Sequence, residues 1–237
     1  MDDLIGAIDS PKTGAPAAVA TAAVDPAASA APHHVFLVDG SGFIFRAYFA
    51  RARDPKAAGG GFQRQSDGMP TEVAFHFSNM VDKYRRETDA DHMAVIFDAS
   101  GKSFRNRIYS DYKANRREMP DDLRPQLEHV RRAAAAFDIC QIELSDFEAD
   151  DLIATYARHA VEAGAKVTIL SSDKDLMQLV GDKVTMKDPM TDRPIGEAEV
   201  REKFGVGPDK VVDVQALCGD SIDNVPGVPG IGVKTAA

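Results

Sequence analysis

The stretch HVFLVDG, residues 34–40, runs four apolar side chains, Val35 to Val38, into an aspartate and a glycine. A short apolar run closed by turn-forming residues is the pattern of a strand covered on both faces, as in a parallel sheet. HMAVIFDAS (92–100) repeats it and reaches Asp98, and KVTILSSDKD (166–175) repeats it again and reaches Asp173 and Asp175. With two further apolar segments, the predicted strands are 34–39, 91–98, 138–144, 166–172 and 182–187. Helical patterns fall between them. In 70–86, Pro70 stands near the start, and Val73, Phe77, Met80, Val81 and Tyr84 make one stripe, the spacing of a helix with one buried face. Residues 121–137 look helical too, and in 150–163 Leu152, Ile153, Tyr156, Ala157 and Ala160 are expected to face the sheet. This alternation predicts an α/β fold with a mostly parallel central sheet flanked by helices.

Carboxylates gather where such strands end. Asp39, Asp98, Glu148 with Asp150 and Asp151, Asp173 with Asp175, and Asp220 with Asp223 make five tight clusters. Residues just past neighbouring parallel strands share one crevice, and that many like charges need something positive among them. Oxygen donors without His or Cys nearby suit a hard cation, Mg²⁺ or Mn²⁺. Two such ions point to hydrolysis of phosphodiesters. Each cluster also has a plainer reading. Asp39 and Asp98 are turn formers after strands. Ser145 and Glu148 have capping-box spacing, which leaves Asp150 and Asp151 simply favouring the positive helix end. On one helix, at about 100° per residue, Glu148 and Asp150 point nearly opposite ways, so both face an ion only if the helix begins near Ala149. Asp173 and Asp175 with Lys174 as counter-ion make a polar loop, and Asp220 and Asp223 a turn or cap. Five clusters together favour a site.

The net charge of −9 argues against a simple basic nucleic-acid binder, unless the acid is concentrated in a metal site. A local basic run exists. Residues 100–118 carry Lys102, Arg105, Arg107, Lys113, Arg116 and Arg117 against Asp111 and Glu118, a balance of +4. Phe104, Tyr109 and Tyr112 are interleaved, and such rings stack on unpaired bases. Lys113 and Arg116, one helical turn apart, are placed to grip one phosphate; the plain alternative is a solvated charged helix. Residues 1–32 form an Ala/Pro-rich tail, expected to be disordered for lack of large apolar side chains. Asp2 and Asp3 make it a poor signal peptide. The loop 54–69 is rich in Gly and polar residues and is expected to be mobile. Cys140 and Cys218 read as small core residues in a reducing compartment, and no apolar run is long enough to span a membrane. Near the end, DKVVDVQALCG predicts a short helix, followed by GDSIDN and then a tight turn through Gly227, Gly230 and Gly232. Free N–H groups beyond that turn are suited to a phosphate.

DGSGFIFRAYFA (39–50), VIFDASGKSFRNRIYSDYKANR (95–116), FEADDLIATYA (147–157), SSDKDLMQLV (171–180) and GDSIDNVPGVPGIGVKTA (219–236) together resemble the flap-endonuclease-like 5′-nuclease domain found at the front of bacterial DNA polymerase I. The resemblance runs from about residue 34 to the last residue. It implies a PIN-like nuclease with a helical arch, acting on 5′ flaps, nicks and RNA primers in DNA replication and repair. It implies two Mg²⁺ (or Mn²⁺). The first is held by Asp39, Asp98 and Asp150, with Glu148 acting through water; the second by Asp173, Asp175, Asp220 and Asp223, with Asp150 or Asp151 near both. Tyr112, Lys113 and Arg116 match the arch, Lys113 offsetting charge on the scissile phosphate, and Arg46 a basic position beside the first ligand. Arg105, Arg107 and Arg117 are expected to contact DNA. Gly227, Gly230, Gly232 and Lys234 match a helix–hairpin–helix that grips duplex backbone, with K⁺ in the turn. That element is expected to be incomplete here, the chain stopping about four residues into its second helix, which alone does not persist. The domain expected is 33–237, a monomer in a bacterial cytoplasm associated with the nucleoid through DNA. Competing readings are an idle fragment that only binds branched DNA and another PIN-like ribonuclease.

Overall fold

The computed structural model describes residues 32–52, 62–116 and 118–237. The Ala/Pro-rich tail up to residue 31, loop residues 53–61 and Arg117 lie outside the described residues. In chain order the elements are β1 (His34–Asp39), α1 (Gly40–Ala52), α2 (Glu72–Glu87), β2 (His92–Ile96), α3 (Arg105–Ile108), α4 (Arg124–Ala136), β3 (Cys140–Ile142), α5 (Ala149–Glu162), β4 (Lys166–Leu170), β5 (Val184–Lys187), β6 (Pro194–Ile195), α6 (Glu197–Phe204), α7 (Val211–Cys218) and α8 (Val233–Ala236). A short 3-10 helix, Asp175–Leu179, follows β4, and another, Pro208–Lys210, precedes α7.

Among the described residues the strands form one six-stranded sheet in the order β3-β2-β1-β4-β5-β6. β1 to β5 are mutually parallel and only β6 is antiparallel. The chain starts in the middle, moves outward through β2 and β3, then returns to the far side of β1. β1 and β4 thus flank the point where the winding reverses, and there the loops part and leave a crevice past the strand ends.

Both faces of the sheet are covered, as the apolar runs require. Phe36, Val38, Val95 and Phe97 pack with Phe43, Ile44, Phe77, Val81 and Val130 of α1, α2 and α4. Leu37, Ile96, Val167 and Ile169 face the other way, onto Ile153, Ala157, Val200 and Val214 of α5, α6 and α7. The stripe Val73, Phe77, Met80, Val81 and Tyr84 is buried as expected. Phe77 has no exposed surface, so Phe77→Ala should cost about 3–5 kcal/mol through lost burial and the cavity left behind. A urea midpoint within error of the parent would contradict that packing.

Some expectations need correcting. Tyr156 does not face the sheet; it is 44% exposed. Cys140 is exposed on the edge strand β3, not a core residue. α1, α6 and β6 were not among the expected elements. In α1 the glycines that argue against a helix are there for space: a Cβ on Gly40 would lie 2.6 Å from the Phe97 ring, and one on Gly42 2.2 Å from an Asp39 carboxylate oxygen. No described helix is long and apolar enough to cross a membrane.

Candidate active site

The register of the sheet builds the floor of the site. Val38 lies opposite Leu170, so Asp39 and Ser171 leave the sheet side by side. Asp39 is 4% exposed. One of its carboxylate oxygens accepts the Gly42 N–H at 2.7 Å and the other the Ser171 hydroxyl at 2.7 Å. Burial pushes its pKa up to about 6; those two hydrogen bonds oppose the rise, and the charges of Asp173 and Asp98 add to it.

The start of α5 brings in the EADD cluster. The helix begins at Ala149, with Glu148 extended before it, so the capping box expected from Ser145 to Glu148 is replaced by a different one. Asp151 reaches back to accept the Glu148 N–H at 3.0 Å, and Asp98 accepts the Ala149 N–H at 2.8 Å. Both carboxylates thus meet N–H groups that the first turn leaves free. Asp151 also binds Arg105 through two N–H···O bonds of 2.7 Å, which holds its pKa down despite burial. That fork engages both oxygens of Asp151. Asp150 shifts the opposite way. Burial pushes its pKa up to about 8, with Asp39, Asp173 and Asp98 adding their charge and Lys113 opposing.

Asp173 accepts the Asp175 N–H at 2.9 Å, folding the DKD loop on itself. Gln215 of α7 donates to Asp175, and Lys174 pairs with Asp220. Asp175 is raised by burial and by Asp173, whereas Asp220 is lowered, Lys174 and the Ile222 N–H outweighing burial. Asp39, Asp150, Asp173, Asp175, Asp220 and Asp223 line one cleft together with Arg46, Lys113 and Arg116.

The basic run folds down onto these acids. Among the described residues the segment expected to form a helical arch has only one helical turn, α3, followed by consecutive turns over 110–115 with Lys113 at φ 57. Lys113 and Arg116 nonetheless converge. Lys113 Nζ lies 2.8 Å from Glu148 and 3.6 Å from Asp223, and Arg116 lies 2.6 Å from Asp223. Tyr112 donates to Glu148 at 2.9 Å and to Asp223 at 3.1 Å. Three further bonds clasp the two segments: Lys113 N–H to the Asp223 carbonyl (2.9 Å), Asn115 to the Ser221 carbonyl (2.7 Å) and Asn224 to the Asp111 carbonyl (2.7 Å). A non-glycine residue in the left-handed region is strained, and this clasp holds Lys113 there. The expected base-stacking face is largely absent: Phe104 packs on Phe147, Tyr112 is buried and Tyr109 alone is outward. Arg107 pairs with Asp146.

Among the described residues, no group of three His, Cys, Asp or Glu side chains is arranged as a closed metal site. Lys113 pairs with Glu148, Arg116 with Asp223 and Lys174 with Asp220, so cations stand among the acids of the cleft. The donors still fit a hard divalent cation: six are aspartates in one cleft, and three of these, Asp39, Asp150 and Asp175, have raised pKa values. Asp39 and Asp150 keep protons that an unfolded chain, at the ordinary 3.8, releases. Their stabilising contribution is complete below about pH 4 and is lost as pH rises through about 6 and about 8. Without divalent cations the melting temperature should fall from roughly pH 5 to roughly pH 9. A rise over that window would mean the acids are not crowded as described.

Ser171, Ser172, Gln215 and Asn224 were not expected from the sequence. Each acts on a residue distant along the chain, and only the SS before DKD offered a local hint. In the C-terminal turn Gly227 is required by close approach, a Cβ there lying 2.3 Å from the Cys218 carbonyl carbon. Gly230 takes φ 82, and Gly232 caps α8. The one-turn α8 is held by its neighbours, Ala236 packing against the core, and Lys234 is exposed.

Residues 34–205 match the 5′-3′ exonuclease, N-terminal resolvase-like domain, and residues 206–237 the 5′-3′ exonuclease, C-terminal SAM fold. DNA polymerase I of Rhizobium leguminosarum is 53% identical over 211 residues, 86% of this chain and 20% of that protein. The chain thus spans about a fifth of that relative's length. A 5′-3′ exonuclease of Aquifex aeolicus is 39% identical over 202 residues, 85% of this chain and 67% of that one. Among solved structures, T5 5′-exonuclease with bound zinc superimposes with a TM-score of 0.68 at 23% identity, over 86% of this chain and 73% of that one. The bacteriophage T5 D15 flap endonuclease, in a complex with DNA and metal ions, gives 0.67 at 23% identity over the same shares. These likenesses support the PIN-like fold. On its acidic crevice and on both family matches, this chain belongs to the 5′-3′ exonuclease family.

Proposed function

We propose that the chain is a divalent-metal-dependent 5′ nuclease, both 5′-3′ exonuclease and flap endonuclease, acting on DNA with 5′ flaps or nicks and on RNA primers. The observation that carries this is the single cleft at the winding reversal, in which six aspartates face Arg46, Lys113 and Arg116. Support comes from relatives described as DNA polymerase I and 5′-3′ exonuclease, and from a flap endonuclease solved with DNA and metal ions. On this reading the chain serves as the N-terminal domain of a DNA polymerase I, a cytoplasmic monomer working in replication and repair.

Asp39, Asp98 and Asp150 would hold one Mg²⁺ (or Mn²⁺), with Glu148 acting through water; Asp173, Asp175, Asp220 and Asp223 would hold the second. Asp151 is left to its helix cap and Arg105. When bound, the ions supply an activated water and stabilise the charge developing on the phosphate. Lys113 and Arg116, freed from Glu148 and Asp223, turn to the phosphate, and Tyr112 keeps the Glu148 carboxylate oriented. Asp39 is held in place by the Gly42 N–H and the Ser171 hydroxyl. The turn through Gly227, Gly230 and Gly232, with Lys234, would anchor duplex backbone and could hold a K⁺ ion there.

Asp173→Ala should abolish Mg²⁺-dependent cleavage of a labelled 5′-flap duplex and leave DNA binding intact. A variant that cuts at the parent rate sinks the ligand assignment. Equal cleavage of 3′-flap and 5′-flap duplexes sinks the 5′ polarity.

A further inference from the structure

Another strand-end carboxylate, Asp188, has a different task from the others. It follows β5, beside the loop that carries Ser172 and Asp173. Its Oδ1 accepts the N–H groups of Met190 and Thr191, each at 2.9 Å. Its Oδ2 lies 3.2 Å from Nη2 of Arg46, and the other terminal nitrogen, Nη1, donates to the Ser172 hydroxyl. Arg46, on α1, is therefore pinned at both ends of its guanidinium by the loops after β4 and β5. The side chains are 14% exposed for Asp188 and 42% for Arg46, so the fork is anchored on its inner side and open outward. An arginine this exposed ordinarily samples many rotamers. Anchoring removes that freedom before a ligand arrives, and three of the five N–H donors are left over.

We propose that Asp188 and Ser172 are positioning residues, which aim Arg46 so that its remaining donors meet a phosphate oxygen in the cleft. This rests on the cleft being a phosphodiester site. The plainer alternative is that Asp188 only caps its own loop and makes a surface ion pair of little consequence.

The test is a double-mutant cycle. In Asp188→Asn the amide carbonyl can still accept from Met190 and Thr191, which keeps the loop and turns the NH₂ toward Arg46, donor against donor. Asp188→Asn should lower kcat/KM on a labelled 5′-flap duplex with Mg²⁺ on the order of tenfold, and do nothing further in an Arg46→Gln background. Ser172→Ala should give a smaller loss that also vanishes in that background. The melting temperature should stay within about 2 °C of the parent, which separates positioning from loop collapse. Equal losses in both backgrounds, or parent kcat/KM in Asp188→Asn, overturn the inference. If Arg46→Gln alone changes nothing, the phosphate-facing reading of Arg46 fails, and this inference with it. Anisotropy of the labelled flap with Ca²⁺ in place of Mg²⁺ yields the same cycle as Kd, so the coupling is measurable even in a chain that does not cleave.

Discussion

Replacing Asp150 by asparagine should cut flap cleavage about a thousandfold or more, yet raise the melting temperature of the metal-free protein. The two effects share one cause. Asp150 sits where burial and the charges of Asp39, Asp173 and Asp98 push its pKa up to about 8, so an ionised carboxylate there is held against its neighbours. Asparagine keeps the shape and removes the charge. The folded chain then sheds a repulsion, most of all above about pH 8, where Asp150 is otherwise ionised. The same charge is what a divalent cation would need, and a thousandfold loss corresponds to about 4 kcal/mol of transition-state stabilisation. Rates and melting curves on one preparation decide it. Parent-level cleavage, or a lower melting temperature at high pH, would rule out this role for Asp150.

Lys113→Ala should also cost cleavage, by about a hundred- to a thousandfold, the range for removing one preorganised donor to a developing negative charge. Its effect on stability should have the opposite sign. Lys113 is the cation nearest Glu148, at 2.8 Å, and it also reaches Asp223. Without it those carboxylates lose a counter-charge and the metal-free protein should melt lower. Alanine would inherit φ 57 as well, so Lys113→Gly serves as the control that relieves the backbone while still lacking the ammonium. If both variants cut normally, Lys113 has no part in the chemistry. If the metal-free protein melts higher without Lys113, the acids do not depend on it for neutralisation.

The parts of this fold that local pattern encodes were readable in the chain. HVFLVDG, HMAVIFDAS and KVTILSS became β1, β2 and β4, and the stripe on α2 is buried residue for residue. The crevice followed, because Asp39, Asp98 and Asp173 stand just past those strands. Helix α1 was hidden by Gly40 and Gly42, whose low helix propensity is outweighed by the need to clear Phe97 and Asp39. The partners of the acids were hidden for another reason. Ser171 is 132 residues from Asp39, Gln215 is 40 from Asp175 and Asn224 is 113 from Asp111; no periodicity links such pairs. Asp151 shows the limit of counting acids. It belongs to an acidic cluster by composition, and composition gives no sign that it also caps α5 and pairs with Arg105.

The clasp between residues 111–116 and 220–224 ties these observations together. Its cations Lys113 and Arg116 neutralise Glu148 and Asp223, so on the proposed reading a bound metal would compete with the clasp for those carboxylates. Asn115→Ala with Asn224→Gly loosens the clasp without touching a carboxylate or a cation, and glycine tolerates the positive φ of Asn224. Calorimetric titration with Mn²⁺ should then show tighter binding than the parent, and weaker binding would mean that the clasp builds the metal site and does not oppose it.

Whether the acidic cleft is a metal-dependent 5′ nuclease site is decided by cleavage of a 5′-labelled flap duplex by the chain, first with a chelator and then with Mg²⁺ added in excess. No product should form with the chelator, and the labelled 5′ strand should be released once Mg²⁺ is restored. Product formed in the presence of the chelator, or none at any enzyme and Mg²⁺ concentration, would refute that assignment.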